Sequence, residues 1–312
     1  MPALERFGRF EILRRVDSGG MAEVLVARER LDEGTVRLVA LKRLLAHLAD
    51  DPEYVRLFRD EARLALLIDH PNVCRAFGSG VEAGQAFITM EWIHGVSLAE
   101  LLERARAGLP LPVALHILVS VADAVHFTHA LKDASGRLLC VVHRDISPPN
   151  IMIGFDGSVK ILDFGLAKSR TQSVSTVTGL VKGKLRYLAP EQLEEGAEID
   201  WRIDLFSLGL CGYEALTGRP LFDHDDPIEA AKAIQAYTTP PSILAVRPDV
   251  PPAVEPILAR ALARAPEQRY PSAMKMKSAL RDALGSVDPG FSAASLRAYV
   301  REQFPVEAVS FL

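Results

Sequence analysis

The chain has 312 residues, 49% of them apolar and 24% charged, with a net charge of −4. That length accommodates two lobes with separate cores, and the mean hydropathy of +0.12 is that of a folded soluble chain. Nothing in this mild acidity suggests a surface built for nucleic acid or anionic lipid.

Residues 7 to about 93 read as strand-rich. Phe10, Ile12 and Val16 precede a glycine turn, Glu23 to Glu29 makes a second strand, and Val36 to Arg43 a third of dense apolar content. The period then changes. Tyr54, Val55, Phe58, Ala62, Ala65 and Leu66 recur at helical spacing, with Pro52 just inside the start. Val73 to Phe77 and Ala86 to Trp92 complete a lobe of five strands and one helix.

From residue 94 to about 285 the pattern is mainly helical. Ser97 and Glu100 form a capping box for a helix through Arg106. The longest apolar stretch, Leu109 to Leu131, is interrupted by Pro110, Pro112, His116, Asp123, His126 and His129. It predicts a buried helix and no membrane span. Loops and short strands occupy 138–192, and helices are predicted at 203–217, 227–237, 251–264 and 272–284. Pro251-Pro252 suits the first turn of the third of these. Residues 286–312 form a tail in which Phe291, Leu296, Tyr299, Val300 and Phe304 predict one amphipathic helix docking on the large lobe. No secretory signal opens the chain, since Glu5, Arg6 and Arg9 fall within its first ten residues. The three cysteines, Cys74, Cys140 and Cys211, are isolated and odd in number. They read as plain thiols in a reducing compartment, so the expected location is cytoplasmic.

Two strings carry the chemistry. His143-Arg144-Asp145-Ile146-Ser147-Pro148-Pro149-Asn150 is followed by Asp163-Phe164-Gly165, with Asp145 and Asp163 18 positions apart. The pair supplies two carboxylates and an amide on two loops a short strand apart. Phosphoryl transfer needs one acid to orient a hydroxyl, and an acid and an amide to hold Mg²⁺. Upstream, Val16-Asp17-Ser18-Gly19-Gly20-Met21-Ala22-Glu23-Val24 lies between two strands, where glycines let backbone N–H groups approach phosphate oxygens. Lys42 follows in an apolar strand, and Glu61 on the next helix is a carboxylate able to hold it.

In this order, and with Ala189-Pro190-Glu191 further on, these motifs resemble the protein kinase superfamily from about residue 7 to 285. Gly19-Gly20-Met21-Ala22-Glu23-Val24 is similar to eukaryotic-like bacterial Ser/Thr kinases in particular. The resemblance implies an α+β bilobal fold, with a small N-lobe over 1–93, a helical C-lobe over 94–285, and the tail beyond. It implies Mg-ATP, with Mn²⁺ as an admissible substitute, and protein Ser/Thr hydroxyls as acceptors. Asp145 would be the catalytic base, Asn150 and Asp163 the metal ligands, and Lys42, held by Glu61, the charge on the α- and β-phosphates. Met90 would be the gatekeeper, and Glu91 to Ile93 the hinge. Val24, Ala40 and Met152 would sandwich the adenine. Glu191 resembles the acid paired with Arg269, and Asp204 the anchor of the catalytic loop.

Three departures from the family pattern stand out, the first covering two positions. Asp17 stands where a first loop glycine is usual, and Ala22 where a third often is. Ser147 replaces a lysine two residues after Asp145. Lys184 replaces a threonine after Gly183. The last two look like a reciprocal exchange, in which Lys184 supplies the γ-phosphate charge and Ser147 the hydroxyl. Asp17, Ser147 and Lys184 also motivate an alternative, a weakly active nucleotide-binding scaffold. A small-molecule phosphotransferase is disfavoured by the Ala-Pro-Glu segment, and tyrosine specificity by Pro148. Ser169, Thr171, Ser173, Ser175, Thr176 and Thr178 crowd the loop after Asp163, and Arg144 is placed to pair with a phosphate there. Thr176 and Thr178 are the expected autophosphorylation sites, through a transient homodimer.

Overall fold

The computed structural model describes residues 5–31, 34–133, 135–162 and 184–309. The chain forms two compact units, Met1–Ile93 and His94–Leu312.

The first unit is one antiparallel sheet of six strands and a helix. The strands are β1 (Arg6–Phe7), β2 (Phe10–Ser18), β3 (Ala22–Arg30), β4 (Val36–Leu44), β5 (Ala76–Glu82) and β6 (Gln85–Glu91), in spatial order β1-β2-β3-β4-β6-β5. Alternation along the strands sends two apolar sets to opposite faces. Phe7, Phe10, Ile12, Leu25, Val39, Leu41 and Phe87 cluster on one face. Ala22, Ala40, Leu44, Ile88 and Met90 cluster on the other with Phe58 and Ala62 of α1 (Pro52–Leu67). Both faces of β4 are therefore covered, which explains its apolar run from Leu38 to Leu41. Asp51 caps α1 by accepting from the Glu53 N–H at 2.9 Å, and Pro52 occupies the first turn.

Two expectations need correction here. The sheet has six strands because the two-residue β1 pairs with the start of β2. The strand expected at Val73–Phe77 lies instead at Ala76–Glu82, and Val73 is buried in the turn before it. Gly78, Ser79 and Gly80 concealed this strand, since glycine is a poor strand former. The Phe87 ring covers Gly80 so closely that a Cβ there would sit 2.9 Å from it.

The second unit holds a three-stranded sheet, β7 (Gly95–Ser97), β8 (Ile151–Gly154) and β9 (Val159–Ile161), in that order. Its helices are α2 (Leu98–Arg104), α3 (Leu111–His129), α4 (Arg202–Thr217), α5 (Pro227–Ala236), α6 (Glu255–Ala261), α7 (Ala273–Val287) and α8 (Ala293–Gln303). The Ser97–Glu100 capping box of α2 is present. α3 is long and apolar enough to cross a bilayer by composition, but Leu115, Leu118, Val121, Ala122 and Val125 are buried within the unit. It is a core helix, flanked by α4 and α7. α6 starts later than predicted: Pro251-Pro252 form a turn, closed by the Val254 N–H on the Pro251 carbonyl at 2.9 Å, and Pro256 takes the first helical turn. None of the three cysteines is in a disulfide, with Cys140 exposed and Cys211 buried; burial raises the Cys211 thiol pKa well above the usual range.

Candidate active site

Within the first unit, Lys42 on β4 stands opposite Val24 of β3 and Ile88 of β6. Ala40 pairs in the same way with Val26 and Met90, so Val24, Ala40, Lys42 and Met90 share one face of the sheet. Glu61 on α1 faces that strand, and its Oε1 accepts a hydrogen bond from Lys42 Nζ. Both side chains are buried. A lysine removed from water keeps its charge only beside such a partner. Ala40, Met90 and Ile93 are buried apolar groups, and Val24 and Met21 pack against the same cluster. The Glu91 N–H donates to the Arg75 carbonyl at 2.9 Å, and its own carbonyl accepts from Cys74 Sγ at 3.7 Å.

The glycine turn is closed by the Gly19 N–H on the Ala22 carbonyl at 2.9 Å, and Gly20 has open space where a side chain would be. Val16 is exposed. Asp17 does not sit at the tip of the turn. It belongs to β2, opposite Val24, is solvent-exposed, and accepts from the Ser18 N–H at 2.8 Å. Its carboxylate is therefore engaged with its own backbone and hydrated.

Within the second unit, the segment from His143 to Asn150 has almost no regular structure, and one carboxylate organises it. Asp204, fully buried on α4, accepts from the His143 N–H and the Arg144 N–H, each at 2.8 Å. The Nε2 of His129, at the end of α3, donates to the same carboxylate at 2.8 Å. Arg144 is thereby held at φ 66°, a left-handed backbone unusual for a residue with a side chain. The buried His143 ring donates from Nε2 to the Leu162 carbonyl at 2.8 Å and accepts at Nδ1 from the Asp145 N–H at 3.2 Å. The Leu162 N–H in turn donates to the Asn150 carbonyl at 2.8 Å. His129 was not anticipated, because nothing in its local sequence marks it apart from other helix-terminal histidines.

Asp145 and Asn150 meet directly. Asn150 Nδ2 donates to the Asp145 carboxylate Oδ2 and to its main-chain carbonyl, both at 2.8 Å. With both amide hydrogens engaged, Oδ1 is the Asn150 atom suited to a hard cation. Ser147 is 1% exposed, and its Oγ has no hydrogen-bond partner among the described residues. Met152 lies on β8, half-buried, opposite Ser97 and Lys160. Asp163, Phe164, Gly165, the loop hydroxyls and the Lys184 side chain lie outside the described residues.

Further along, Arg269 is buried with every N–H engaged. It donates to both Glu191 oxygens at 2.6 and 2.8 Å, and to the carbonyls of Ala263, Arg202 and Arg264. Tyr187 donates to Glu214 Oε2 at 2.6 Å. Burial, and then the neighbouring Glu214 charge, push the phenol pKa up; burial also raises the Glu214 carboxyl. The Tyr187–Glu214 pair was not anticipated, because a tyrosine and a glutamate 27 positions apart carry no joint signal.

Comparison with known proteins adds an independent line. The protein kinase domain family matches residues 10–280. The chain belongs to the protein kinase family. Tyrosine-protein kinase MasK of Myxococcus xanthus is 40% identical over 311 residues, 98% of this chain and 48% of that protein. Serine/threonine-protein kinase PrkC of Bacillus subtilis is 36% identical over 277 residues, 88% of this chain and 40% of the relative. The crystal structure of the Mycobacterium tuberculosis PknI kinase domain aligns with a TM-score of 0.66 and 27% identity, over 91% of this chain and 99% of that one. The chain thus spans less than half the length of these curated relatives, but nearly all of a solved kinase domain.

Proposed function

We propose that this kinase domain transfers the γ-phosphate of ATP to serine and threonine hydroxyls of proteins. The observation that carries the reading is the Asp145–Asn150 contact at 2.8 Å, on a segment pinned by the buried Asp204. Mg-ATP supplies the phosphoryl group and the cation that neutralises it, with Mn²⁺ as a substitute. Asp145 accepts the proton of the acceptor hydroxyl and fixes its direction of approach. Asn150 and Asp163 hold the cation, and Lys42, kept in place by Glu61, neutralises the α- and β-phosphates. The backbone N–H groups of Gly20 and Met21, in the turn closed by Gly19 and roofed by Val16, receive the phosphates. Val24, Ala40, Met90, Ile93 and Met152 provide apolar walls for adenine, with the Glu91 carbonyl at its edge. Lys184 supplies the charge absent at Ser147, and the buried Ser147 hydroxyl, without a partner among the described residues, is a suitable contact for that ammonium. Regulation proceeds by phosphorylation of the loop after Asp163 in a transient homodimer, paired to Arg144. The location is cytoplasmic, where ATP is abundant and thiols stay reduced.

The test is labelled ATP and Mg²⁺ with a generic basic protein, wild type beside Asp145→Asn. Turnover should fall about 10²-fold or more with ATP binding nearly intact. An active Asp145→Asn protein overturns the assignment. A Lys184→Ala protein of normal rate removes the exchange with Ser147. The name of the 40%-identical relative supports a second reading, transfer to tyrosine. Phosphoamino-acid analysis of the same product separates the two, and phosphotyrosine alone replaces the first by the second.

A further inference from the structure

We propose that α8 is a clamp that positions the β7–β8–β9 sheet and thereby sets nucleotide affinity; this rests on the kinase reading above. The family match ends at residue 280, whereas α8 spans Ala293–Gln303. The helix is nevertheless built into the unit: Leu296 and Val300 are fully buried and Phe304 nearly so.

Its polar contacts, with those of the turn after it, converge on one end of the β7–β8 pair, where Gly95 stands opposite Gly154. Arg301 Nε donates to the Phe155 carbonyl at 2.7 Å, just past the end of β8. The Glu307 carbonyl meets His94 Nε2 at 3.2 Å, just before β7, and the His94 ring stands edge-on to Phe155 at 5.0 Å. The Phe155 N–H closes the same point on the His94 carbonyl at 2.9 Å. Arg104, at the end of α2, lies 3.8 Å over the Phe304 ring, donates to the Gln303 carbonyl, and pairs with Glu307 at 2.8 Å. At the β8–β9 turn, Gly157 has φ +89°, and a Cβ there would lie 2.0 Å from the Ala293 carbonyl. The start of α8 is pressed on that turn.

The strand held this way, β8, begins directly after Asn150 and carries Met152 at its second position. Strands transmit displacement along their length, so an error at His94 or Phe155 reaches Met152 within a few residues. The apolar face of α8 accounts for its adhesion. Adhesion alone does not call for the directed bonds of Arg301 and Glu307 to Phe155 and His94, or of Arg104 on α2 to Gln303 and Glu307. The exposed Arg104–Glu307 pair contributes little to stability by itself.

The test uses the full chain with Arg104→Met and Arg301→Met together, which keeps both apolar stems and removes the donors. Calorimetric titration with Mg²⁺ and a non-hydrolysable ATP analogue gives the dissociation constant, beside a thermal melt. The expected result is an affinity weaker by about fivefold or more, the scale of coupling carried by residues that touch no ligand, with a cooperative melt retained. Wild-type affinity in the folded double variant overturns the clamp alone. A wild-type protein that binds no nucleotide overturns the kinase reading and the clamp with it. If the double variant does not fold, each single variant enters the same titration, and wild-type affinity in both overturns the clamp.

Discussion

Replacing Arg269 by lysine is the sharpest probe of how the second unit holds its shape. The guanidinium has five N–H groups, and five acceptors surround it: two Glu191 oxygens and the carbonyls of Ala263, Arg202 and Arg264. The side chain is wholly buried and also stacks over Phe206 at 4.6 Å. Lysine keeps the charge but has three N–H groups and no fork, so at least two acceptors lose their donors. At about 1–3 kcal/mol for each buried acceptor left unmade, Arg269→Lys should cost about 2–6 kcal/mol, a large part of a typical stability of about 5–15 kcal/mol. Equilibrium urea unfolding measures this, followed by fluorescence in a Trp92→Phe background so that Trp201 alone reports on the second unit. The midpoint should fall with the slope unchanged. An Arg269→Lys protein within about 0.5 kcal/mol of wild type would show that water or rearrangement satisfies those acceptors, and the argument from donor count would fail.

Two further outcomes follow from the same unit. The Glu214 carboxyl has a native pKa raised by burial above its ordinary 4.5, so between that value and the native one the folded state binds more protons than the unfolded chain. Stability should therefore fall as pH rises through that window, and Glu214→Gln should flatten the slope; urea midpoints between about pH 4 and pH 8 test this, and an unchanged slope refutes it. Asp204→Asn places an amide where Oδ2 now accepts from His143 N and His129 Nε2, so two donors face a donor. With a charged hydrogen bond contributing about 1.5–3 kcal/mol, it should lower the melting temperature and cut phosphoryl transfer by about tenfold or more. A wild-type rate would show that the catalytic segment holds itself.

How much was legible differs from element to element. The α2 capping box, the long core helix and the apolar β4 are local patterns, and they were read at nearly the right residues. β5 was displaced because Gly78 and Gly80 have no strand propensity of their own; only the Phe87 ring lying over Gly80 makes that segment part of the sheet. Pro251-Pro252 suggested a helix start, but helices have several acceptable prolines near their beginnings, and Pro256 took the position. The site residues were named by motif, which states residue type and order but not which atoms meet.

The sequence by itself determined the order of the motifs, the apolar periodicities and so the identity of the family, because these depend on neighbours along the chain. Only the tertiary structure decided that one carboxylate, Asp204, would hold two backbone N–H groups and His129 at once, that Asp17 would turn back on Ser18, and that α8 and the turn after it would grip one end of the β7–β8 pair. Those bonds join residues as much as 213 positions apart, and their geometry exists only after burial has brought the elements together.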